Sequence, residues 1–89
     1  MAKVQFTSNL RRHLEVSNVE VPGSTLRSVL DSVFETHRRL RGYILDDQGA
    51  LRTHVTVFVD GRRVADPTGL SDPVGDASEV YVLQALSGG

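Results

Sequence analysis

The segment STLRSVLDSVFETHRRLRG, residues 24–42 of this 89-residue chain, carries the clearest pattern in the sequence. Its apolar residues recur every three or four positions, and they are Leu26, Val29, Leu30, Val33, Phe34 and Leu40. Residues at this spacing share one side of an α-helix, so the pattern predicts one long amphipathic helix with its apolar face against a core. Ser24 or Thr25 can cap the start of this helix, and Gly42 is expected to end it.

Two strands are predicted before this helix. Residues 3–7 and 19–21 alternate polar and apolar side chains with the period of two that is typical of a half-buried strand. Val4 and Phe6 are expected to face the core, and the two strands are expected to be antiparallel. Pro22-Gly23 stops the second of them.

Further strands are predicted after the helix. Residues 54–59, HVTVFV, place three valines on one face, and Asp60-Gly61 matches a two-residue hairpin turn. A short return strand is expected over residues 62–65, and a final strand over residues 79–83. One helix packed on one face of a mixed sheet of four to five strands is a two-layer α+β fold.

The composition limits the classes of function. A chain of 89 residues forms one small domain, and its net charge of -1 argues against a nucleic-acid partner, because phosphate binding needs a basic face. The absence of cysteine excludes a disulfide and a thiol nucleophile. His13, His37 and His54 lack the spacing of metal ligands, so no metal site is expected. No stretch is typical of a secretory signal or a membrane span, so the sequence predicts a cytoplasmic protein without a membrane partner.

The end of the chain is the first candidate site. It reads Gln84-Ala85-Leu86-Ser87-Gly88-Gly89 and directly follows the last predicted strand. Because glycine loses much backbone freedom on ordering, residues 85–89 are expected to be a flexible tail on a domain of residues 1–84. At ~3.3 Å per extended residue, this tail could carry the Gly89 carboxylate roughly 15 Å into a channel of another protein. No nucleophile–base pair or phosphate-binding loop accompanies it, so the chain itself is not expected to be an enzyme and has no predicted catalytic residue.

An apolar surface is the second candidate site. Phe58, Tyr81 and Leu83 are expected to share the outward face of the sheet if their strands pair, and Leu86 would continue this surface into the tail. Exposed apolar patches tend to bind partners, whereas scattered exposed apolar residues are ordinary. Arg62 and Arg63 could contact an acidic rim of a partner or could simply be solvated.

Together these features resemble the ubiquitin-like β-grasp sulfur carriers, which include the small subunit of molybdopterin synthase and the carriers of thiamine and cysteine pathways. The resemblance covers essentially the whole chain. It rests on the first strand pair, the helix that opens with Gly23-Ser24-Thr25-Leu26, the hairpin from Val55 to Val64, Gly75-Asp76 before the last strand, and the terminal Gly88-Gly89. The segment from Gly42 to Thr53 is longer than in the shortest carriers and looks more like the cysteine-pathway branch.

The resemblance implies a β-grasp fold and a carrier role in which Gly89 is the reactive residue. An E1-like enzyme would use ATP to adenylate the Gly89 carboxylate, sulfur would displace AMP, and the thiocarboxylate would deliver sulfur to a synthase. The chain would be a monomer with no bound cofactor, and the ATP would belong to the partner. Two alternatives remain open. One is a protein modifier conjugated through Gly89 to lysines, and the other is a β-grasp interaction module with an inert tail.

Overall fold

The strands follow the order that the sequence predicts, whereas the helix is divided. The computed structural model describes residues 1–6, 18–53 and 55–84. Its elements are β1 (Ala2–Phe6), β2 (Asn18–Val21), α1 (Leu26–Thr36), α2 (Arg38–Ile44), β3 (Val55–Val59), β4 (Arg62–Arg63) and β5 (Glu79–Gln84). Within the described residues, no helix combines the length and the apolar character that crossing a membrane requires.

The strands form one mixed sheet in the order β2-β1-β5-β3-β4. Strand β5, the last in the chain, occupies the centre, parallel to β1 and antiparallel to β3. Strands β1 and β2 are antiparallel, as are β3 and β4. Both neighbours of β5 therefore support the strand that leads to the carboxyl-terminal tail.

One face of the sheet packs against the two helices and forms the core. The side chains without exposed surface come from both layers and from the loop before β5, and they are Val4, Leu26, Val29, Leu30, Val33, Leu40, Ile44, Val57, Leu70, Val80 and Val82. Burying one such side chain stabilises the folded state by about 1.5–3 kcal/mol relative to leaving it in water. The predicted two-layer α+β arrangement is thus confirmed, with all the core-facing valines of β3 and β5 on the inner face.

Helix α1 begins with a reciprocal cap. The Thr25 hydroxyl oxygen accepts the Ser28 N–H at 3.2 Å, and the Ser28 hydroxyl oxygen accepts the Thr25 N–H at 3.1 Å. Gly23 precedes this cap with φ of 151°, and a Cβ at Gly23 would lie 2.7 Å from Cγ2 of Val29. The chain therefore enters α1 through a position that only glycine fills without displacing the core.

The prediction of one long helix ending at Gly42 is wrong. Helix α1 ends at Thr36, and His37 has φ of -125° and ψ of 66°, outside the helical range. The Val33 carbonyl accepts both the His37 N–H at 2.9 Å and the Thr36 hydroxyl at 3.2 Å, which completes α1 at this point. Helix α2 then continues through Gly42 to Ile44.

The division makes each helix shorter than one straight helix would be. A straight helix over residues 26–44 would be about 28 Å long, at 1.5 Å per residue. A five-residue strand such as β3 is only roughly 17 Å long. Leu40 and Ile44 on α2 are both fully buried, so the second helix also packs on the core.

The hairpin between β3 and β4 has the predicted turn. Asp60 and Gly61 have φ of 50° and 82°, as the tight two-residue turn requires. Strand β4 covers only Arg62–Arg63 rather than residues 62–65. The Val64 N–H nevertheless donates to the Val57 carbonyl at 2.8 Å, so the hairpin continues for one further hydrogen bond.

Arg27 holds two loops against α1. Its Nε donates to the Gly69 carbonyl at 3.1 Å, and its Nη2 donates to the Gly49 carbonyl at 2.9 Å. The apolar spacing that predicts the helix does not reveal these contacts. They attach the loops that follow α2 and β4 to the helix.

Candidate functional site on the outer face of the sheet

Strand β5 pairs on both sides up to Val82 and, in the described residues, with β3 alone at Leu83 and Gln84. Gln84 pairs with Val55 at the start of β3, and Val82 pairs with Phe6 at the end of β1. The predicted site residues that follow β5 lie outside the described residues, and they are Leu86, Gly88 and Gly89. The described part of the chain therefore ends at Gln84, which is paired with β3.

Three predicted binding residues lie together on the face of the sheet opposite the helices. Tyr81 on β5 pairs with Phe58 on β3, and Leu83 pairs with Thr56. Directly opposed side chains have Cβ atoms about 5 Å apart, and diagonal neighbours such as Leu83 and Phe58 are about 7–8 Å apart. We call Phe58, Tyr81 and Leu83 the outer patch. Their role in partner binding stays a prediction.

The outer patch is accessible to a partner. Tyr81 is 43% exposed, and the side chains of Phe58 and Leu83 are half-buried. The residues that alternate with them, Val57, Val80 and Val82, are fully buried on the inner face. The two faces of the central strands thus differ sharply, and the outer one presents aromatic and aliphatic surface to solvent.

Polar residues continue the outer patch across the sheet. Gln5 on β1 pairs with Tyr81, Asn18 on β2 pairs with Gln5, and Arg63 on β4 pairs with Phe58. One row of side chains therefore crosses all five strands. The aromatic pair lies in the middle of this row, with amides on one side and a cation on the other.

The hairpin places Arg62 and Arg63, which are adjacent in sequence, on opposite faces of the sheet. Arg63 pairs with Phe58 and shares the outer face, whereas Arg62 pairs with Val59, whose side chain is buried on the inner face. Successive residues of a strand point to opposite faces, so only Arg63 borders the outer patch. The sequence already implied this register, because a two-residue turn at Asp60-Gly61 places Val59 opposite Arg62.

The amino end of β5 carries charge rather than apolar surface. Lys3 on β1 pairs with Glu79 on β5 and with Glu20 on β2, and all three residues are exposed. The outer face is therefore apolar near the carboxyl end of β5 and ionic near its amino end. Lys3 is the only lysine in the sequence, and no surrounding pattern marks it as a site residue.

Asp60 fixes the hairpin to the start of β5. Its Oδ1 accepts the Glu79 N–H at 2.9 Å, and its Oδ2 accepts the Ser78 hydroxyl at 2.7 Å. The Glu79 N–H, and after it the Ser78 hydroxyl, lowers the pKa of the Asp60 carboxyl below its ordinary value of 3.8. This carboxylate thereby connects the hairpin that carries Phe58 to the strand that carries Tyr81.

The model of the ThiS family matches residues 4–89 of the chain. Among curated proteins there is no significant match. Similarity to solved structures is extensive and spans the full fold. A chain from the crystal structure of the Amycolatopsis orientalis BexX/CysO complex is 26% identical with a TM-score of 0.88, over 100% of both chains.

Two further structures share the fold at lower identity. CysO of Mycobacterium tuberculosis, described as an antigen, is 24% identical with a TM-score of 0.85, over 97% of this chain and 100% of that one. SAMP1 from Haloferax volcanii is 23% identical with a TM-score of 0.81, over 99% of this chain and 98% of that one. The arrangement of helices and strands is therefore shared over nearly the whole length of each protein.

Proposed function

This chain belongs to the ThiS family, and we propose that it is a sulfur carrier whose Gly89 carboxylate is adenylated and then converted to a thiocarboxylate. The resemblance to the ubiquitin-like β-grasp sulfur carriers is confirmed, and so is the β-grasp fold. The observation that carries the proposal is the family match itself, which extends through Gly88-Gly89.

The chemistry of the terminus explains why activation is needed. A terminal carboxyl group has a pKa of ~3.5, so it is an anion at neutral pH and a poor electrophile. In adenylation, one Gly89 carboxylate oxygen attacks the α-phosphorus of ATP and pyrophosphate leaves. That oxygen becomes the bridging oxygen of a mixed anhydride and can later leave with AMP. A sulfur nucleophile then attacks the Gly89 carbonyl carbon, the bond to the AMP oxygen breaks, and a thiocarboxylate remains.

Both the nucleotide and the sulfur are assigned to partners. The sequence contains no cysteine that could store sulfur as a thiol or persulfide. We therefore assign ATP and its metal to an E1-like adenylating enzyme and assign the use of the thiocarboxylate to a sulfur-accepting synthase. In this proposal the chain is a co-substrate of those enzymes and binds no cofactor of its own.

The outer patch is proposed as the docking surface for these partners. It lies at the end of the sheet that leads to the tail, so a partner bound there would also meet the chain beyond Gln84. Its aromatic pair supplies the kind of surface that is enriched at binding sites. The similar Amycolatopsis orientalis chain comes from a complex with another protein, BexX.

The terminal glycines suit a narrow active site. A Cβ at Gly88 or Gly89 would restrict the backbone conformations available to the tail and would crowd the carbonyl carbon that the nucleotide and the sulfur must approach. Glycine at both positions leaves that carbon open. Most of the contacts that a partner uses to recognise this protein would then be made by the folded domain.

Protein modification is the second candidate. The neighbour SAMP1 from Haloferax volcanii is named a small archaeal modifier protein, as is its counterpart from Methanosarcina acetivorans. Modification would begin with the same adenylate at Gly89 and would end with an amine rather than sulfur as the attacking group. The mass of the product separates the two roles, because conjugation joins a second protein while sulfur transfer exchanges one atom.

The proposal is tested by incubating the purified chain with its activating enzyme and ATP and measuring pyrophosphate release. We expect release that depends on the chain and that stops when Gly89 is deleted. The matched control is Gly75→Ala, which changes a glycine in a loop away from the tail. If deletion of Gly89 leaves pyrophosphate release unchanged, the terminus is not the activated group.

A further inference from the structure

The turn between β3 and β4 contains a dipeptide whose backbone can rearrange without an enzyme. Asp60-Gly61 is the single place in the sequence where glycine follows aspartate or asparagine. Because glycine has no Cβ, its nitrogen can approach the side-chain carboxyl carbon of the preceding residue without steric hindrance. Both residues are exposed to solvent. The turn is therefore a candidate site of covalent modification.

The rearrangement uses only atoms of the chain and water. The Gly61 nitrogen attacks Cγ of the protonated Asp60 carboxyl group, a C–N bond forms, and the bond from Cγ to the hydroxyl oxygen breaks. The amide proton and the hydroxyl group leave as one water molecule, and a five-membered succinimide ring remains. Water then opens the ring at either carbonyl carbon. Opening at the former main-chain carbonyl gives isoaspartate, in which the main chain runs through Cβ and Cγ.

The geometry of the turn opposes ring closure. Asp60 and Gly61 have φ of 50° and 82°, close to the values of a type I′ turn, whose first central residue has ψ of about 30°. At that ψ, the Gly61 nitrogen lies nearly in line with the Asp60 nitrogen along the Cα–C bond. The Asp60 Cβ projects from Cα in a different direction, whereas the ring requires Cβ and the Gly61 nitrogen to lie on the same side. Asp60 must therefore leave the turn conformation before the ring can form.

Hydrogen bonds to the start of β5 hold the reacting carboxylate. Oδ1 of Asp60 accepts the Glu79 N–H at 2.9 Å, and Oδ2 accepts the Ser78 hydroxyl at 2.7 Å. Ser78 is buried, and its hydroxyl oxygen also accepts the Gly75 N–H at 2.8 Å, so the donor itself is fixed. The Glu79 N–H, and after it the Ser78 hydroxyl, lowers the pKa of Asp60. This favours the carboxylate anion, which is a poorer electrophile than the protonated acid.

We propose that Asp60-Gly61 is a site of spontaneous isoaspartate formation and that attachment of the hairpin to β5 suppresses the reaction in the folded chain. The reaction proceeds when the contacts with Ser78 and Glu79 open and the turn releases Asp60. Isoaspartate adds one atom to the main chain of the turn. The modified hairpin therefore loses the two-residue turn that places Val59 opposite Arg62. The proposal does not depend on the activation of Gly89.

Peptide mapping of the full chain measures the reaction. The protein is incubated near neutral pH, either folded in buffer or unfolded in urea, and is then digested with trypsin. The tryptic peptide of residues 53–62 contains the site, and chromatography with electron-based fragmentation separates its aspartate and isoaspartate forms. We expect isoaspartate in the unfolded chain to accumulate faster at Asp60 than at any other aspartate. In the folded chain, formation at Asp60 should be at least about tenfold slower, because it requires local opening.

Two serine variants provide a matched comparison. Ser78→Ala removes the hydroxyl that donates to Asp60, whereas Ser71→Ala removes a hydroxyl that donates to Oδ2 of Asp66 at 2.6 Å. In the folded chain, Ser78→Ala should raise the rate at Asp60 about tenfold, because hydrogen bonds to charged groups are among the stronger ones. Ser71→Ala should leave that rate near its original value. Urea denaturation gives the unfolded fraction of each variant, and the rate in Ser78→Ala should exceed what this fraction alone supplies.

Gly61→Asn tests the role of the glycine itself. Asparagine is among the residues that most readily adopt positive φ, and a Cβ at position 61 has no neighbouring atom within 4 Å. The turn should therefore form, while the added side chain hinders attack on Cγ of Asp60. We expect isoaspartate formation at Asp60 to be slower in this variant than in the original chain when both are unfolded in urea.

Three results would overturn the proposal. The first is isoaspartate formation at Asp60 that is as fast in the folded chain as in the unfolded chain. The second is a rate in folded Ser78→Ala that equals the rate in Ser71→Ala or that its unfolded fraction fully explains. The third is faster isoaspartate formation at another aspartate in the unfolded chain.

Discussion

Asp60 is the residue whose carboxylate connects the β3–β4 hairpin to the start of β5. It accepts the Glu79 N–H and the Ser78 hydroxyl, and these hydrogen bonds lower the pKa of Asp60. Because its pKa in the folded state lies below that in the unfolded state, its contribution to stability is complete above the unfolded value of ~3.9 and is lost as the pH falls through the folded value.

Replacing this carboxylate should therefore change the acid dependence of stability. Asp60→Asn keeps a residue that tolerates the positive φ of the turn but removes the ionisable acceptor. We expect the variant to be less stable than the original chain at pH ~7 and the difference to shrink below pH ~4. Urea denaturation at a series of pH values measures this, and a difference that stays constant under acid conditions would argue against the role of the Asp60 charge.

Gly89 is the residue at which a Cβ should matter for activation but not for folding. We expect Gly89→Ala to slow adenylation roughly 10- to 100-fold, since small misplacements of reacting atoms have effects of this size. The thermal unfolding midpoint should be unchanged, because position 89 follows the last strand by several residues. Equal adenylation rates for the two proteins would show that the channel of the activating enzyme does not require glycine.

At the scale of elements, α2 shows what an amphipathic pattern can and cannot reveal. The spacing of Leu26, Val33 and Leu40 predicts which residues are buried, and all three are. It does not reveal the break at His37, because the apolar spacing is the same as that of a continuous helix and no glycine or proline marks the interruption. The backbone angles of His37, which lie outside the helical range, show where the helix divides.

Gly42 provides a test of this account of α2. A Cβ added at Gly42 has no neighbouring atom within 4 Å, and the residue lies inside the helix rather than at its end. Gly42→Ala should therefore stabilise the protein by up to ~1 kcal/mol, the usual difference between alanine and glycine in a helix. Gly23→Ala is the contrasting control and should destabilise by about 1–3 kcal/mol, because its Cβ would overlap Val29.

Urea denaturation of both glycine variants measures these changes in the free energy of unfolding. A loss of stability in Gly42→Ala would mean that Gly42 serves as a helix terminator after all. The sequence prediction used glycine in that sense because glycine commonly follows helix ends. In the structure it is Gly23 that requires glycine, because its φ is positive and a Cβ there would overlap Val29.

The register of the β3–β4 hairpin leads to a prediction about partner binding. Arg63 borders the outer patch while Arg62 lies on the other face. We expect Arg63→Glu to weaken binding to the activating enzyme by at least about tenfold if the partner presents an acidic rim, and Arg62→Glu to leave the affinity near its original value. Phe58→Asp should weaken binding at least as much, because it removes half of the central aromatic pair. Calorimetric titration of the folded variants would contradict this account if the two arginine variants behaved alike.

For the whole molecule, the central position of β5 relates the fold to its proposed use. The alternating pattern of residues 79–83 predicts the strand and its buried valines, and the terminal Gly88-Gly89 predicts the reactive end. Strand order does not follow from those patterns, because β1 and β5 are separated by almost the entire chain before they pair. The shared outer face of Phe58, Tyr81 and Leu83 therefore emerges only once β3 and β5 are placed side by side.

The same topology separates the two ends of the outer face. Its apolar half lies toward the tail, and its ionic half carries Lys3 between Glu20 and Glu79. A partner docked on the apolar half would receive the terminus without approaching the lysine.

The intact mass of the protein purified from its native host is the most direct test of the sulfur carrier proposal. The account predicts a population whose mass exceeds that of the sequence by the exchange of one oxygen for sulfur, with fragmentation locating the exchange at Gly89. A terminus that carries only oxygen while the sulfur pathway is active, or a sulfur atom located at any other residue, would contradict it.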